Sequence, residues 1–161
     1  GLPTTADAGA REEAGVMRLQ RVDGRLVVED APGNLLDAMA AEGVTLEVVR
    51  CGGGHPIHAA REQWTDGANY VALGPGVVVG YARNRHTAAA MAERGFELLD
   101  PAGWLHMLER DFKGDADALF ASGRRVAIHL EGSELCRGRG GPRCLTLPLT
   151  RDAIAAAGGG A

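Results

Sequence analysis

The segment from Gly132 to Cys144, GSELCRGRGGPRC, holds the densest set of reactive groups in the sequence. Arg137, Arg139 and Arg143 alternate with glycines there, so guanidinium groups and free backbone amides converge near the Cys144 thiol. Nearby positive charge favours a thiolate over a thiol, and only the thiolate is a competent nucleophile. The segment therefore fits a site that binds an anionic group beside a nucleophilic sulfur. Taken alone, however, the residue types favour a flexible Arg/Gly surface loop with an incidental cysteine.

A second polar cluster, REQWTDGAN from Arg61 to Asn69, stands directly before a predicted strand. Loop residues in such a place project over the edge of a sheet, where ligands bind. Asp66 and Asn69 are therefore candidates for substrate contact. The alternative is a well hydrogen-bonded turn shaped by Asp66-Gly67, with Trp64 packed beneath it.

The histidines and the other cysteines give weaker signals. His55 and His58 follow the run Cys51-Gly-Gly-Gly, but no third ligand occurs at a recognisable spacing. Solvated loop histidines are therefore favoured over a metal site. The three cysteines of the chain form no Cys-x-x-Cys pair and cannot all pair with one another, which indicates a reducing compartment, the cytoplasm.

The composition is that of one folded domain. The chain has 161 residues, 45% of them hydrophobic, and a net charge of -4 from 21 acidic and 17 basic residues. This balance gives no general attraction to nucleic acid or anionic membranes, and no apolar stretch approaches the roughly 20 residues of a membrane-spanning helix. Residues 1–15 and 153–161 are predicted to be flexible ends of a body spanning 16–152. The start, with neither Met nor a signal-peptide pattern, is consistent with a cut end.

The elements that must position these residues follow from periodicity, which predicts an α/β fold. The order strand, strand, helix, strand occurs twice, at 17–49 and 70–99, and one such unit must pack against a neighbour to cover its apolar face. Asp23-Gly24 and Gly74-Pro75-Gly76 are predicted turns. The predicted strands are Met17–Gln20, Leu26–Val28, Thr45–Val49, Tyr70–Leu73, Val77–Tyr81, Phe96–Leu99 and Arg125–His129, and the predicted helices are Asn34–Glu42, Thr87–Arg94, Ala102–Arg110 and Asp115–Ser122.

Three collinear segments within residues 44–152 resemble the C-terminal part of bacterial arginine deiminases, members of the guanidino-group modifying superfamily. REQWTDGAN at 61–69 is similar to the family's REQW-D-G-N segment. LGPGVVVGYARN at 73–84 is similar to its APGVV-Y-RN stretch, and SELCRGRGGPRCLTLP at 133–148 to its terminal SELGRGRGG…CM…P signature. Such collinear matches are far more specific than one glycine-rich run, and they favour a catalytic role for the Arg/Gly segment over a surface loop.

The resemblance implies a five-bladed α/β propeller, the pentein fold, built from ββαβ-type units around a nearly closed site. By position, Cys144 matches the family's nucleophile, and Arg139 matches the arginine that pairs with the substrate's α-carboxylate. Arg137, Asp66 and Asn69 are further candidates for substrate binding. The implied reaction converts L-arginine to L-citrulline and ammonia through a covalent intermediate on Cys144. No metal or organic cofactor is implied.

The sequence also departs from the family pattern. It has no counterpart of the family's His-x-Asp acid/base pair or of two further carboxylates that hold the guanidinium, and His129-Leu130-Glu131 is predicted to be the end of a strand instead. Arg143 replaces a frequent His, Cys136 a frequent Gly, and His55 stands where an acidic residue is common. We therefore expect a site that is incomplete without an upstream segment or partner chain.

Exposed edge strands should also favour a partner segment or a homo-oligomer. A guanidine-binding protein without catalysis and an amidinotransferase, which passes the amidine to an amine, are the alternatives that the residues leave open.

Overall fold

A computed structural model describes residues 15–150, so the predicted flexible ends lie almost wholly outside the described residues. No helix in that range combines the length and the apolar character that crossing a bilayer needs. Two short 3-10 helices occupy Cys51–Gly54 and Leu135–Gly138. The strands are β1 (Val16–Val22), β2 (Arg25–Ala31), β3 (Val71–Gly74), β4 (Val77–Tyr81), β5 (Glu97–Leu99) and β6 (Val126–Leu130), and the α-helices are α1 (Leu35–Ala41), α2 (Pro56–Trp64), α3 (Arg85–Ala92), α4 (Pro101–Phe112) and α5 (Ala116–Ala121).

The larger sheet in the described part of the chain has the strand order β3-β4-β6-β5. β3 and β4 form an antiparallel hairpin whose turn contains Gly76, with a φ of +76°. β6 pairs in parallel with β4 on one side and with β5 on the other. β6 therefore lies in the centre, and the chain that leaves its end leads directly to the Arg/Gly segment.

One face of this sheet packs against α4 and α5. Asp100 caps the first turn of α4 by accepting a hydrogen bond from the Gly103 amide at 2.6 Å, and Asp115 caps α5 at the Ala118 amide at 3.0 Å. The two helices cover β4 and β6, which fixes the strands that carry the site. The buried cluster between them consists of Val77, Val79, Met107, Leu108, Leu119, Val126 and Ile128.

β1 and β2 are the two strands that the alternation predicts, and they form a two-stranded sheet of their own. Asp23 and Gly24 both have positive φ, 49° and 77°, which is the geometry of a two-residue hairpin turn. Asn34 caps α1 by accepting hydrogen bonds from the amides of Leu36 and Asp37, and Asp37 accepts one in return from the Asn34 amide. Both local predictions are confirmed.

The predicted strand Thr45–Val49 is wrong, because residues 44–50 are irregular. Alternating residues form a strand only where a neighbouring strand offers a hydrogen-bond ladder. Here Glu47 holds the segment through ion pairs with Arg94 and Arg125, at 3.2 and 2.9 Å. Within the described residues the strand, strand, helix, strand order is therefore completed at 71–99 and not at 17–49.

The sequence also predicts a loop before β3. This prediction is wrong for Arg61–Trp64, which form the last part of α2. Pro56 at the start of α2 is a helix signal, but the helix lacks a clear apolar periodicity. The alternative in which Trp64 packs beneath a turn is contradicted as well, since Trp64 is 70% exposed. The turn itself follows the helix and contains Asp66.

Candidate active site

Cys144 lines a cavity of about 380 Å³ that joins the two segments singled out by the sequence. The sulfur Sγ accepts a hydrogen bond from Asn69 Nδ2 at 2.7 Å, although 75 residues separate the two in the chain. The Cys144 residue is exposed, so a small molecule can reach its sulfur. Asp66, Asn69 and Cys144 are thereby brought together. The lining residues are Gln63, Asp66, Ala68, Asn69, Tyr70, Arg143 and Cys144.

Two further contacts hold the Arg/Gly segment against the turn after α2. The carboxylate of Asp66 accepts a hydrogen bond from the Gly140 amide at 3.1 Å. Gly141 lies so close to Asn69 that a Cβ at this position would be 2.5 Å from Asn69 Cβ. Only a glycine allows this approach, which sets the distance between Asn69 and Cys144.

The backbone at both sides of this contact is unusual. Asp66 and Arg139 have φ values of 59° and 65°, which side chains other than glycine seldom adopt. Backbone conformations of this kind persist where surrounding contacts impose them, and they concentrate at functional sites. At Asp66 the surrounding contact is the hydrogen bond to Gly140.

The three arginines of the Arg/Gly segment have different surroundings. The Arg139 guanidinium stacks on Trp64, with Cζ 4.5 Å from the ring centroid, and donates to the Trp64 carbonyl at 3.4 Å. Arg137 pairs with Glu134 at 2.8 Å in an exposed ion pair, and neither Arg137 nor Arg139 is among the residues that line the cavity. Arg143 does line it, at the position where the sequence departs from the family's frequent His.

Glu62, within the REQW motif, is buried and fixes α2 against α3. Its carboxylate accepts hydrogen bonds from the His86 amide at 2.8 Å, the Thr87 amide at 2.8 Å and the Thr87 hydroxyl at 2.6 Å. These amides lie in the first turn of α3, where unpaired N–H groups and the helix dipole favour a negative charge. Glu62 thus caps a neighbouring helix rather than contacting the cavity.

A second pair of side chains joins the same two helices. The hydroxyl of Thr65 and the amide oxygen of Asn84 lie 2.5 Å apart, and Asn84 Nδ2 donates to the Thr65 carbonyl at 3.1 Å. Asn84 is 1% exposed, so this exchange is shielded from water. The turn that follows Thr65 therefore starts from a fixed point and carries Asp66 toward the cavity.

Tyr70 forms the wall of the cavity nearest the sheet, and nothing in its sequence surroundings marks it for that role. Its hydroxyl lies 3.0 Å from His129 Nε2, and its ring leaves no room for a Cβ at Gly80, which would be 2.3 Å from Cε1. Burial raises the pKa of Tyr70 to about 12 and lowers the pKa of His129 below its ordinary value. Both side chains are therefore uncharged near neutral pH. His129 lies in β6, as predicted.

The two histidines that follow the glycine run, His55 and His58, form a stack with His86 of α3. The rings of His58 and His86 lie 3.5 Å apart, and those of His55 and His58 lie 4.5 Å apart. Desolvation lowers the pKa of His58, and the neighbouring His86 and His55 lower it further. Across residues 15–150, no three His, Cys, Asp or Glu side chains are grouped to hold a metal ion.

The other two thiols, those of Cys51 and Cys136, are less exposed than the thiol of Cys144. Cys51 is half-buried against Gly67, and burial raises the pKa of its thiol. Cys136 is 3% exposed and accepts a hydrogen bond from Arg83 at 3.0 Å. All three cysteines are free, and Cys144 is the exposed one.

Comparison with known proteins adds a family to this geometry. The arginine deiminase family model matches residues 27–151, which include both segments that line the cavity. Arginine deiminases of Streptococcus sanguinis and Streptococcus uberis are 37% and 36% identical to the chain, over 83% and 81% of its length. The matches cover 26% and 25% of those two proteins. The chain thus spans about a quarter of the length of the curated relatives it matches.

Proposed function

Since the chain belongs to the arginine deiminase family, we propose that its cavity is the nucleophile-bearing part of a site that hydrolyses L-arginine to L-citrulline and ammonia. The observation that carries this proposal is the exposed Cys144 sulfur, held 2.7 Å from Asn69 Nδ2 in a cavity that a small molecule can enter. A guanidinium group is planar and cationic, so its carbon is a suitable target for a thiolate. The three segments of the family signature all lie within the matched region.

The proposed reaction has two stages. The Cys144 sulfur forms a bond to the guanidinium carbon, one C–N bond breaks, and a proton passes to the leaving nitrogen, which departs as ammonia. An amidino group then remains on the sulfur. Water adds to the same carbon, the C–S bond breaks, and the ureido group of citrulline and the free thiol are released. Each stage needs proton transfer by a group near the carbon.

Two arginines could select the amino-acid end of the substrate. Stacking on Trp64 fixes the plane of the Arg139 guanidinium, and the N–H groups that do not face the Trp64 carbonyl can pair with an α-carboxylate. Arg143 adds positive charge to the wall of the cavity itself. Arg137 has weaker support, because Glu134 already pairs with it.

We further propose that this cavity is completed by the part of the family's length that the chain does not cover. The residues that line the cavity include one carboxylate, that of Asp66, and it is already engaged by the Gly140 amide. Within residues 15–150, the lining includes no histidine that could act as general acid or base. We propose that the complete protein folds as a five-bladed α/β propeller and that this chain forms part of it. We also propose that the complete protein is located in the cytoplasm, where the thiols stay reduced.

The test compares the 161-residue chain with a fusion in which the uncovered part of the Streptococcus sanguinis relative precedes it. We expect the fusion to form citrulline and ammonia from L-arginine, and its Cys144→Ser variant to form neither. The 161-residue chain alone should form no more citrulline or ammonia than the Cys144→Ser fusion does. Citrulline formation by the chain alone would contradict the incomplete site but support the hydrolase.

Two other results would replace the proposal. If the fusion makes an amidinated amine in place of citrulline when glycine is supplied, the chain belongs to an amidinotransferase. If the fusion binds L-arginine without turnover, it is a guanidine-binding protein without catalysis.

A further inference from the structure

The contact between Asn69 and Cys144 has a consequence for the reactivity of the sulfur. We propose that Asn69 is the positioning residue of Cys144: its amide N–H directs the sulfur into the cavity and favours the anionic, reactive form. The inference rests on the proposed function only in taking Cys144 as the nucleophile.

The Asn69 side chain is fixed from three directions. Its backbone amide donates to the Asp66 carbonyl at 3.0 Å, which closes the turn after α2. Its Cβ and Cγ lie against Gly141, where a Cβ would be 2.5 and 2.6 Å from them. The amide nitrogen then reaches the Cys144 sulfur at 2.7 Å. An amide held in this way cannot follow the sulfur elsewhere, so it selects one sulfur position.

The other end of the same amide contributes nothing to stability. Asn69 Oδ1 is buried and has no hydrogen-bond partner among residues 15–150. A buried acceptor without a partner is unfavourable. Turning the amide over would bring the oxygen to the sulfur and would bury N–H donors without partners instead. The observed orientation therefore presents the donor to Cys144, and a donor stabilises a negative charge on sulfur better than it stabilises a neutral thiol.

Charged or titratable side chains from several elements of the described residues line the cavity or lie near Cys144. Asp66 comes from the turn after α2, Tyr70 from the residue before β3, Tyr81 from the end of β4, and Arg143 from the terminal segment. Asp66 already accepts the Gly140 amide, and the two tyrosines are uncharged near neutral pH because burial raises their pKa values. The effect of Asn69 can therefore be isolated by changing Asn69 alone.

The test measures how fast iodoacetamide alkylates Cys144 in the 161-residue chain, as a function of pH. An arginine separates each cysteine from the next, so trypsin places every cysteine in its own peptide, and Cys144 begins the peptide 144–151. The central variant is Asn69→Asp, which keeps the shape and places a negative charge beside the sulfur. Asn34→Asp is the matched control, because aspartate caps α1 as well as asparagine does.

We expect Asn69→Asp to move the alkylation profile to higher pH and to slow alkylation at neutral pH about tenfold, because two negative charges would lie close together. Asn34→Asp should leave the profile unchanged. An unchanged profile in Asn69→Asp, or an equal shift in Asn34→Asp, would overturn the proposal.

A second pair of variants separates positioning from folding. Asn69→Ala should slow alkylation about threefold, as the loss of one hydrogen bond predicts, without lowering the melting temperature, since an unpaired buried oxygen is removed. Asn69→Ser, whose hydroxyl can donate, should recover part of the rate. A lower melting temperature in Asn69→Ala with unaltered alkylation would mean that the residue is structural. Because no arginine is needed, a negative result here is distinct from failure of the citrulline assay.

Discussion

Replacement of Glu62 tests whether the site is held in place by the cap that α2 provides to α3. The Glu62 carboxylate is 5% exposed and accepts three hydrogen bonds, two from backbone amides and one from the Thr87 hydroxyl. In Glu62→Ala these donors lose their partner, and the two donors of Thr87 stay buried. In Glu62→Gln one oxygen becomes an NH₂ group, which cannot accept a hydrogen bond and faces a donor.

The magnitude follows from the number of bonds. A hydrogen bond to a charged group contributes roughly 1.5 to 3 kcal/mol, so at the lower end the three bonds of Glu62 amount to about 4.5 kcal/mol. Glu62→Gln keeps one acceptor and should cost about 2 kcal/mol. A domain is stable by about 5 to 15 kcal/mol in total, so Glu62→Ala should be close to unfolding while Glu62→Gln stays folded.

Urea unfolding followed by circular dichroism measures these free energies. The matched control is Glu109→Gln, which removes a charge from an exposed residue of α4. We expect its unfolding free energy to change by less than about 0.5 kcal/mol. If Glu62→Ala also changed the unfolding free energy by no more than the control, the reasoning about the cap would be refuted.

Two further predictions concern the walls of the cavity. Gly141→Ala should slow alkylation of Cys144, because the new Cβ would lie 2.5 Å from Asn69 Cβ. Gly138→Ala is the control and should leave the rate unchanged, because a Cβ at Gly138 meets open space. Equal alkylation rates in the two variants would contradict this account. The pKa of Tyr70 is raised from 10.0 to about 12, so the stability it contributes is complete below pH 10 and is lost as the pH rises toward about 12. Urea unfolding across that range should show a weaker loss in Tyr70→Phe, and an unchanged pH dependence would disprove the assignment.

The parts of the fold that the sequence predicts well are those with local causes. Asp23-Gly24 makes its own turn, Asn34 makes its own cap, and the apolar runs of β4 and β6 fit buried strands. Thr45–Val49 alternates just as clearly, but no ladder forms there within residues 15–150, and the lack of a partner strand in that range leaves no trace in the segment itself. Helix α2 escapes prediction for a related reason: Ile57 is 61% exposed, so the helix depends on the capping contact with α3 rather than on an apolar stripe.

In the candidate site, too, some residues can be predicted from local sequence signals and others depend on tertiary contacts. Residue types and the family resemblance single out Asp66, Asn69 and Cys144, which the structure brings to one cavity. Tyr70 has no such signal, because its place in the wall depends on His129, 59 residues away. The stacking of Arg139 on Trp64 is likewise a tertiary contact, and it depends on α2 ending where it does.

The central claim is that Cys144 forms a covalent bond to the guanidino carbon, and trapping that bond is its most direct test. The fusion with the uncovered part of the Streptococcus sanguinis relative would be mixed with L-arginine, quenched in acid and digested with trypsin. We predict that mass spectrometry finds the amidino adduct on the peptide that begins with Cys144, and finds none in Cys144→Ser. Citrulline formation that persists in Cys144→Ser, with no adduct on any cysteine of the unmodified fusion, would contradict the claim.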